Sequence, residues 1–378
     1  FETSVIYGRI TFSYIFFVSL SSLFAGILNS YGKFGVVSAT PIFLNVFLIF
    51  AMLLSYILDW EVGIMLCISV PLSGILQLIV LIHTTRKLGY FPKLKLPKFN
   101  GKIRKLLIIA LPAVLTGGVI HINLLVGRQI ASYYEGAIAW LNYADRLYQL
   151  PLGVVGVALG SVLLPKLSEK IQLDNSSELH NVVSHALKIA AILIFPATAA
   201  LIILPVPIIT VLFERGEFSI IDSKNTASAL SIYATGLPAF VLHKIFTPIF
   251  FSKGDTKTPF RIAVFSMLAN IILAISLIGH FEFLAPVLST SISSWIMAFA
   301  LYHKSKKLGF YFDWKLIKEI IIILVSTIIL SLVLILAQKE WFYLLTTNNF
   351  SLFYLIILIS ASSSIYFLTL WFFGILNK

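Results

Sequence analysis

Of the 378 residues, 59% are hydrophobic and 12% are charged, against roughly 45–50% and about 25% in soluble domains. An ordinary soluble fold is excluded. Cys67 is the single cysteine, which excludes an internal disulfide and a thiolate metal cluster.

In chain order, Ile10–Gly32, Phe34–Leu58 and Val62–Thr85 are the first uncharged runs. Each is near or above the ~20 residues a helix needs to cross hydrocarbon. The basic segment HTTRKLGYFPKLKLPKFNGKIRK follows, and then a fourth span that holds His121 and Arg128. A fifth covers WLNYADRLYQLP at 140–151 and the LGVVGVALGSVLLP after it. The sixth includes Ile189–Phe213, the seventh carries Lys244, the eighth is Ile262–Phe281, and a ninth ends near 302. A second basic segment, 303–319, leads to two spans at 320–338 and 350–376 that carry no charge and face lipid or a very greasy ligand. The expected fold class is an all-α polytopic membrane protein with about eleven transmembrane helices.

The net charge of +12 would fit nucleic acid, but its placement says otherwise. Lys33, the run Arg86–Lys105, Lys166, Lys170, Lys253, Lys257, Arg261, Lys304 through Lys318 and Lys378 fall on one side if the spans alternate. Arg9, Arg215, Lys224 and Lys339 fall on the other. That asymmetry is the positive-inside pattern, which puts the C-terminus in the cytoplasm and Phe1 outside. The charge marks orientation and contact with anionic lipid heads, and no nucleic-acid partner is expected.

Internal similarity adds an organisation. FAGILNSYG at 24–32 lines up with FTPIFFSKG at 246–254, Asn45 with Asn270, and RKLGYF at 86–91 with KKLGFY at 306–311. Spans one to three then repeat as spans seven to nine, in the same orientation, as in transporters with parallel repeats. Spans four to six should match three helices that precede Phe1, so a longer parent chain is expected. The division that follows is 1–83 as the second half of a first lobe, 84–105 as a basic cytoplasmic linker, and 106–302 as a second lobe. Residues 303–319 form a second basic linker, and 320–378 the C-terminal helix pair.

The fifth span carries the strongest signal. At about 100° per residue, Asn142, Arg146, Gln149, Gly153, Gly156 and Gly160 form one stripe with Asp145 at its border. A charge at mid-helix costs roughly 2.5–3.5 kcal/mol on insertion scales, and such residues usually face a cavity. Arg146 lies ~15 Å into its helix, near midplane. Cavity lining is one reading, and a structural ion pair between helices is the other. Pro151 should kink this helix. Gly156 and Gly160 fit close helix packing, with a hinge as the alternative.

Other polar residues leave choices open. His121, Arg128, Ser132 and Glu135 share a face of the fourth span. Arg128 either snorkels or lines a cavity, and His121 is either a satisfied bundle residue or a proton carrier. Lys188 reads as an interfacial anchor. In FSKGDTKTP, Gly254 permits positive φ, Asp255 can bond nearby N–H groups and Pro259 starts the next helix, a structural or gating turn. In LFERGEFSIIDSKNT, Asp222 or Ser223 could cap the seventh span.

Here a resemblance becomes specific. NYADRLYQLPLGVVGVALGSVLLPKLSE resembles the signature of the lipid II flippase family (MurJ, also called MviN) of the multidrug, oligosaccharidyl-lipid and polysaccharide exporter superfamily. RITFSYIFFVSLSSLFAGILNSYGKFGVVSATPIFLN is similar to its fourth helix and following loop, and LFERGEFSIIDSKNTASALSIYATGLPAFVLHKIFTPIFFSKGDTKTPFRIA to its tenth with flanking loops. The similarity runs to about residue 310 and weakens in the last pair. The family has fourteen helices, so these spans would be the fourth to the fourteenth. It moves undecaprenyl-pyrophosphate-linked disaccharide-pentapeptide across the bacterial cytoplasmic membrane, for peptidoglycan and cell-wall synthesis. Its two lobes enclose a cationic cavity, and its last two helices extend a groove for the isoprenoid tail.

The resemblance implies a substrate role for Arg146, whose counterpart lines that cavity, and cavity lining for Lys244, where relatives often carry lysine. Many relatives have an acid in place of Gln149, which puts proton coupling there in doubt. Lipid II and membrane lipids are the implied partners, with cell-wall synthesis proteins as candidates beside them. No hydrolase triad, metal-ligand spacing, Walker loop or paired catalytic carboxylates occurs, so neither enzyme, ATP-driven pump, metal nor cofactor is expected. The alternatives are a sibling exporter of another polyprenyl-linked oligosaccharide or of drugs, and, more remotely, a membrane-embedded polyprenyl-phosphate enzyme. The acidic pair such an enzyme would need is Asp59 with Glu61, on the outer side.

Overall fold

The computed structural model describes residues 2–89, 101, 103–104, 123–171, 176–346 and 350–376. Among the described residues every regular element is a helix, as expected where each backbone polar group must find its partner inside its own segment. Eight stretches among them are long and apolar enough to cross a membrane, one of them a hairpin of two helices. The chain divides into two compact units, Phe1–Asn100 and Gly101–Lys378.

The first unit holds α1 (Glu2–Phe12), α2 (Tyr14–Ser30), α3 (Phe34–Leu58) and α4 (Val62–Lys87). The first sequence span was set to begin at Ile10, after the last charge, but helix already starts at Glu2 and passes through Arg9. A charge near a helix end does not terminate it. Helices α1, α2 and α3 all pack on α4. The packed face of α4 is Ser69, Ser73, Gly74, Gln77, Leu81 and Thr85, small and weakly polar residues that let backbones approach where lipid supplies no hydrophobic drive. At Gly74 the approach is close enough that a Cβ would lie 2.7 Å from the ring of Tyr14.

The second unit is built on a hub. Its elements are α5 (Ala137–Ile171), α6 (Ser176–Ile203), α7 (Pro205–Phe213), α8 (Ile220–Ser252), α9 (Lys257–Phe281), α10 (Ala285–Ser305), α11 (Trp314–Thr346) and α12 (Ser351–Phe372), with helix also at 123–131. Helix α8 packs against α5, α6, α7 and α10. Near Pro238, α10 donates side-chain bonds into the α8 backbone, Ser291 Oγ to the Ile232 carbonyl and Trp295 Nε1 to the Thr235 carbonyl, both at 3.0 Å. Gly236 lets the two helices meet, since a Cβ there would stand 3.2 Å from the Ser291 Cα. Helices α9 and α10 are joined by Asn270, which bonds Thr290, Ser289 and Ser293. Its neighbours satisfy this buried amide, as a polar group in a dry bundle requires.

The C-terminal pair does not stand apart. Helix α11 packs on α6 and α12, and Tyr366 of α12 donates to the Ile192 carbonyl of α6 at 2.9 Å. One turn earlier on α6, Lys188 Nζ lies 3.3 Å from Glu319 Oε1 of α11. Lys188 is 9% exposed, so it is one half of a buried ion pair and not the free interfacial anchor expected from sequence. The sequence showed its depth but not its partner, 131 residues away. His180 faces Asp313 at 3.4 Å with its ring between those of Phe310 and Tyr311.

Candidate functional site

Two faces of α5 have opposite characters. Ala144, Leu147, Tyr148 and Val155 are buried in the core that α5 shares with α6 and α8. Asn142, Arg146, Gln149 and Gly153 are exposed. Side-chain packing fixes the rotation of the helix, and the polar stripe lies outside that packing, beside the exposed apolar Tyr143, Leu150 and Val154.

Within that stripe the charges do not cancel. Asp145, half-buried, accepts from Gln149 Nε2 at 2.5 Å, a neighbouring-turn pair. Among the described residues no carboxylate lies within 4.0 Å of Arg146. Its fork of N–H donors is uncommitted, and such a fork binds phosphate in a bidentate way.

Arg128 from the helical stretch 123–131 meets Asn142 and Asp145 at one cavity of about 90 Å³, closed by Tyr148, Tyr233 of α8 and Thr290 of α10. The two tyrosine rings stack at 4.9 Å with 14° between their planes. Arg146 and Gln149 continue the stripe beyond that cavity. His121 lies outside the described residues. Sequence reasoning passed over Tyr148, Tyr233 and Thr290. The first sits inside the WLNYADRLYQLP stretch, where its hydroxyl was a readable signal, but the other two arrive only through tertiary packing.

Lys244 joins from α8. It is exposed, and its Nζ is the atom that a Cβ at Gly156 would meet, at 3.7 Å. Among the described residues this ammonium is the atom nearest to a Cβ at Gly156. A Cβ at Gly153 would meet nothing within 4 Å.

The two loops are local structures. Gly254 has φ +73, and Asp255 Oδ1 accepts from the N–H groups of Lys257 at 3.1 Å and Thr258 at 2.9 Å. The Thr258 bonds hold the Asp255 carboxyl below its ordinary range. Pro259 is buried in the first turn of α9. At the start of α8 the cap is Ser219, not Asp222 or Ser223. Ser219 Oγ accepts from Asp222 N–H at 3.2 Å, and Asp222 returns the bond from Ser219 N–H at 2.7 Å. That reciprocal pair is a capping box, with the acid at its third position. Asp222 also accepts from Trp140 Nε1 at 2.6 Å, tying α5 to α8.

Apolar spans around a polar, cation-bearing helix face define a polytopic helical membrane protein built like the multidrug exporters. The chain is similar over 82% of its length to an inward-facing multidrug resistance MATE family transporter of the MOP superfamily, at TM-score 0.70 and 15% identity, covering 72% of that chain. A structure of the lipid II flippase MurJ in an inward closed conformation is nearer in sequence. It matches 98% of this chain and 74% of its own at TM-score 0.79 and 27% identity. The family model described as "Lipid II flippase MurJ" matches residues 1–360. A probable lipid II flippase MurJ of Rickettsia prowazekii is 38% identical over 309 residues, 81% of this chain and 60% of the relative. That of Vibrio cholerae is 35% identical over 317 residues, 82% and 59% respectively. The chain belongs to the lipid II flippase MurJ family. It spans about three fifths of the length of these curated relatives.

Proposed function

We propose that the protein translocates lipid II, the undecaprenyl-pyrophosphate-linked peptidoglycan precursor, across the bacterial cytoplasmic membrane by alternating access. The single observation that carries this is Arg146, exposed on the polar face of α5 with no carboxylate within 4.0 Å of it among the described residues. A cation held uncompensated in an apolar bundle is an expensive feature unless an anion occupies it in use, and pyrophosphate is a dense anion that needs compensation to cross hydrocarbon. Arg128, Asn142, Asp145, Gln149 and Lys244 share the α5 face or its cavity and complete the binding region, to which His121 is also assigned. Gly254, Asp255 and Pro259 form a turn that would couple α8 to α9 as the lobes rock.

Residues 106–302 serve as one lobe, 1–83 as part of the other, and 84–105 and 303–319 as cytoplasmic linkers. The C-terminus is cytoplasmic, on the side where the basic loops collect. Lipid II is the partner this site fits, and membrane lipids surround it.

The experiment is rescue of a bacterium depleted of its own flippase by the full-length gene. Growth with normal wall synthesis supports lipid II as cargo. Failure to rescue, with the protein inserted at normal levels, transfers the reading to a sibling exporter of another polyprenyl-linked oligosaccharide.

A further inference from the structure

We infer that Lys244 recognises a second anion on the cargo, a carboxylate of its peptide, and so selects peptide-bearing lipids over bare polyprenyl pyrophosphate. The inference rests on the flippase reading above and names which group of that cargo Arg146 and Lys244 each take.

The two cations stand at separate stations on one helix face. Arg146 marks the first, and Gly156, where the Lys244 ammonium sits, marks the second. They are about ten positions apart, ~15 Å along the axis at 1.5 Å per residue. The phosphorus atoms of a pyrophosphate share one bridging oxygen, so the group is too short to occupy both. Between them Gly153 leaves open space above the backbone, room for an uncharged body such as a sugar.

The chemistry of the stations differs in the same sense. A guanidinium is planar and matches phosphate in a bidentate way, whereas an ammonium on a flexible stem is a compact point charge suited to a lone carboxylate. Lys244 is not occupied otherwise: among the described residues no carboxylate lies within 4.0 Å of it. Its Nζ lies across the gap on α5, at a residue with no side chain to block it.

The test compares two ligands on the full-length protein in detergent: undecaprenyl pyrophosphate, and lipid II with free peptide carboxylates. Wild type should prefer lipid II, and Lys244→Met should reduce the ratio of the two affinities by about tenfold, the scale of one charge-assisted hydrogen bond. Arg146→Ala should weaken both ligands together. As a check that needs no variant, amidating the peptide carboxylates should cost wild type about the same factor. A ratio that survives Lys244→Met, or amidation without effect, overturns the inference while both lipids still bind. Failure of wild type to bind either lipid instead overturns the flippase reading.

Discussion

The Tyr366 hydroxyl donates to the Ile192 carbonyl at 2.9 Å, and that carbonyl lies four residues before Pro196, inside α6. Proline has no N–H to return to the position four residues back. A helix from the C-terminal pair therefore supplies the hydrogen bond that α6 cannot make for itself. Tyr366 is 1% exposed, so the bond is shielded from water and the carbonyl has no solvent to fall back on.

Tyr366→Phe should then lower stability by about 1 kcal/mol, the usual net worth of one hydrogen bond. In a Pro196→Ala background, where the amide of residue 196 can close the helix bond, the same change should cost clearly less. Thermal unfolding in detergent of the four proteins in this cycle measures the coupling. Equal costs in both backgrounds would show that the tyrosine does not serve the proline gap.

Arg146→Ala should abolish rescue of a flippase-depleted strain at normal protein level and membrane insertion, because the exposed arginine makes no ion pair among the described residues. Lysine at the same position should restore only part of the activity, since an ammonium lacks the fork geometry. Growth at the wild-type rate with alanine would remove Arg146 from the substrate site.

The polar stripe should be wet. Single cysteines at Asn142 and Gln149, in a Cys67→Ser background, should react readily with a water-soluble maleimide. Cysteine at Leu147, which is 8% exposed and packed in the core, should react far more slowly. Similar rates at all three positions would mean that no aqueous space follows this face of α5.

Lys188 and Glu319 form a pair whose side chains are 11% and 17% exposed. Removing one partner of a buried pair strands the other charge, so Glu319→Gln should destabilise by about 3 kcal/mol. Replacing both, Lys188→Met with Glu319→Leu, should recover most of that loss, because the desolvation cost disappears with the attraction. A double replacement as unstable as the single one would point to a role beyond pairing.

Much of this was legible in the chain because it is local and periodic. The membrane class follows from run lengths, and the rotation of α5 from the spacing of Asn142, Arg146 and Gln149. The FSKGDTKTP turn follows from glycine, aspartate and proline chemistry, all within a few residues. What could not be read depended on a distant partner. Lys188 looked like an anchor until Glu319 arrived from α11, and nothing in the chain near Gly156 announced the Lys244 ammonium beside it. The α8 cap was missed by three residues because Ser219 and Asp222 are equally good capping types, and only the extended backbone of Ser219 separates the two.

The hub position of α8 sets an order of assembly. Chains are made N-terminus first, so α5, with its arginine, and α6, interrupted by Pro196, leave the ribosome before the helix that packs on both. Until α8 emerges, Tyr148 has no Tyr233 to stack on and Trp140 no Asp222 to bond. Helix α8 in turn waits for α10 before Ser291 and Trp295 can bond its Ile232 and Thr235 carbonyls. The interval between synthesis of α5 and of α10 is thus a period of unfinished polar pairing inside the bilayer. A ribosome that stalls in that interval leaves a nascent chain with a specific set of unmet bonds.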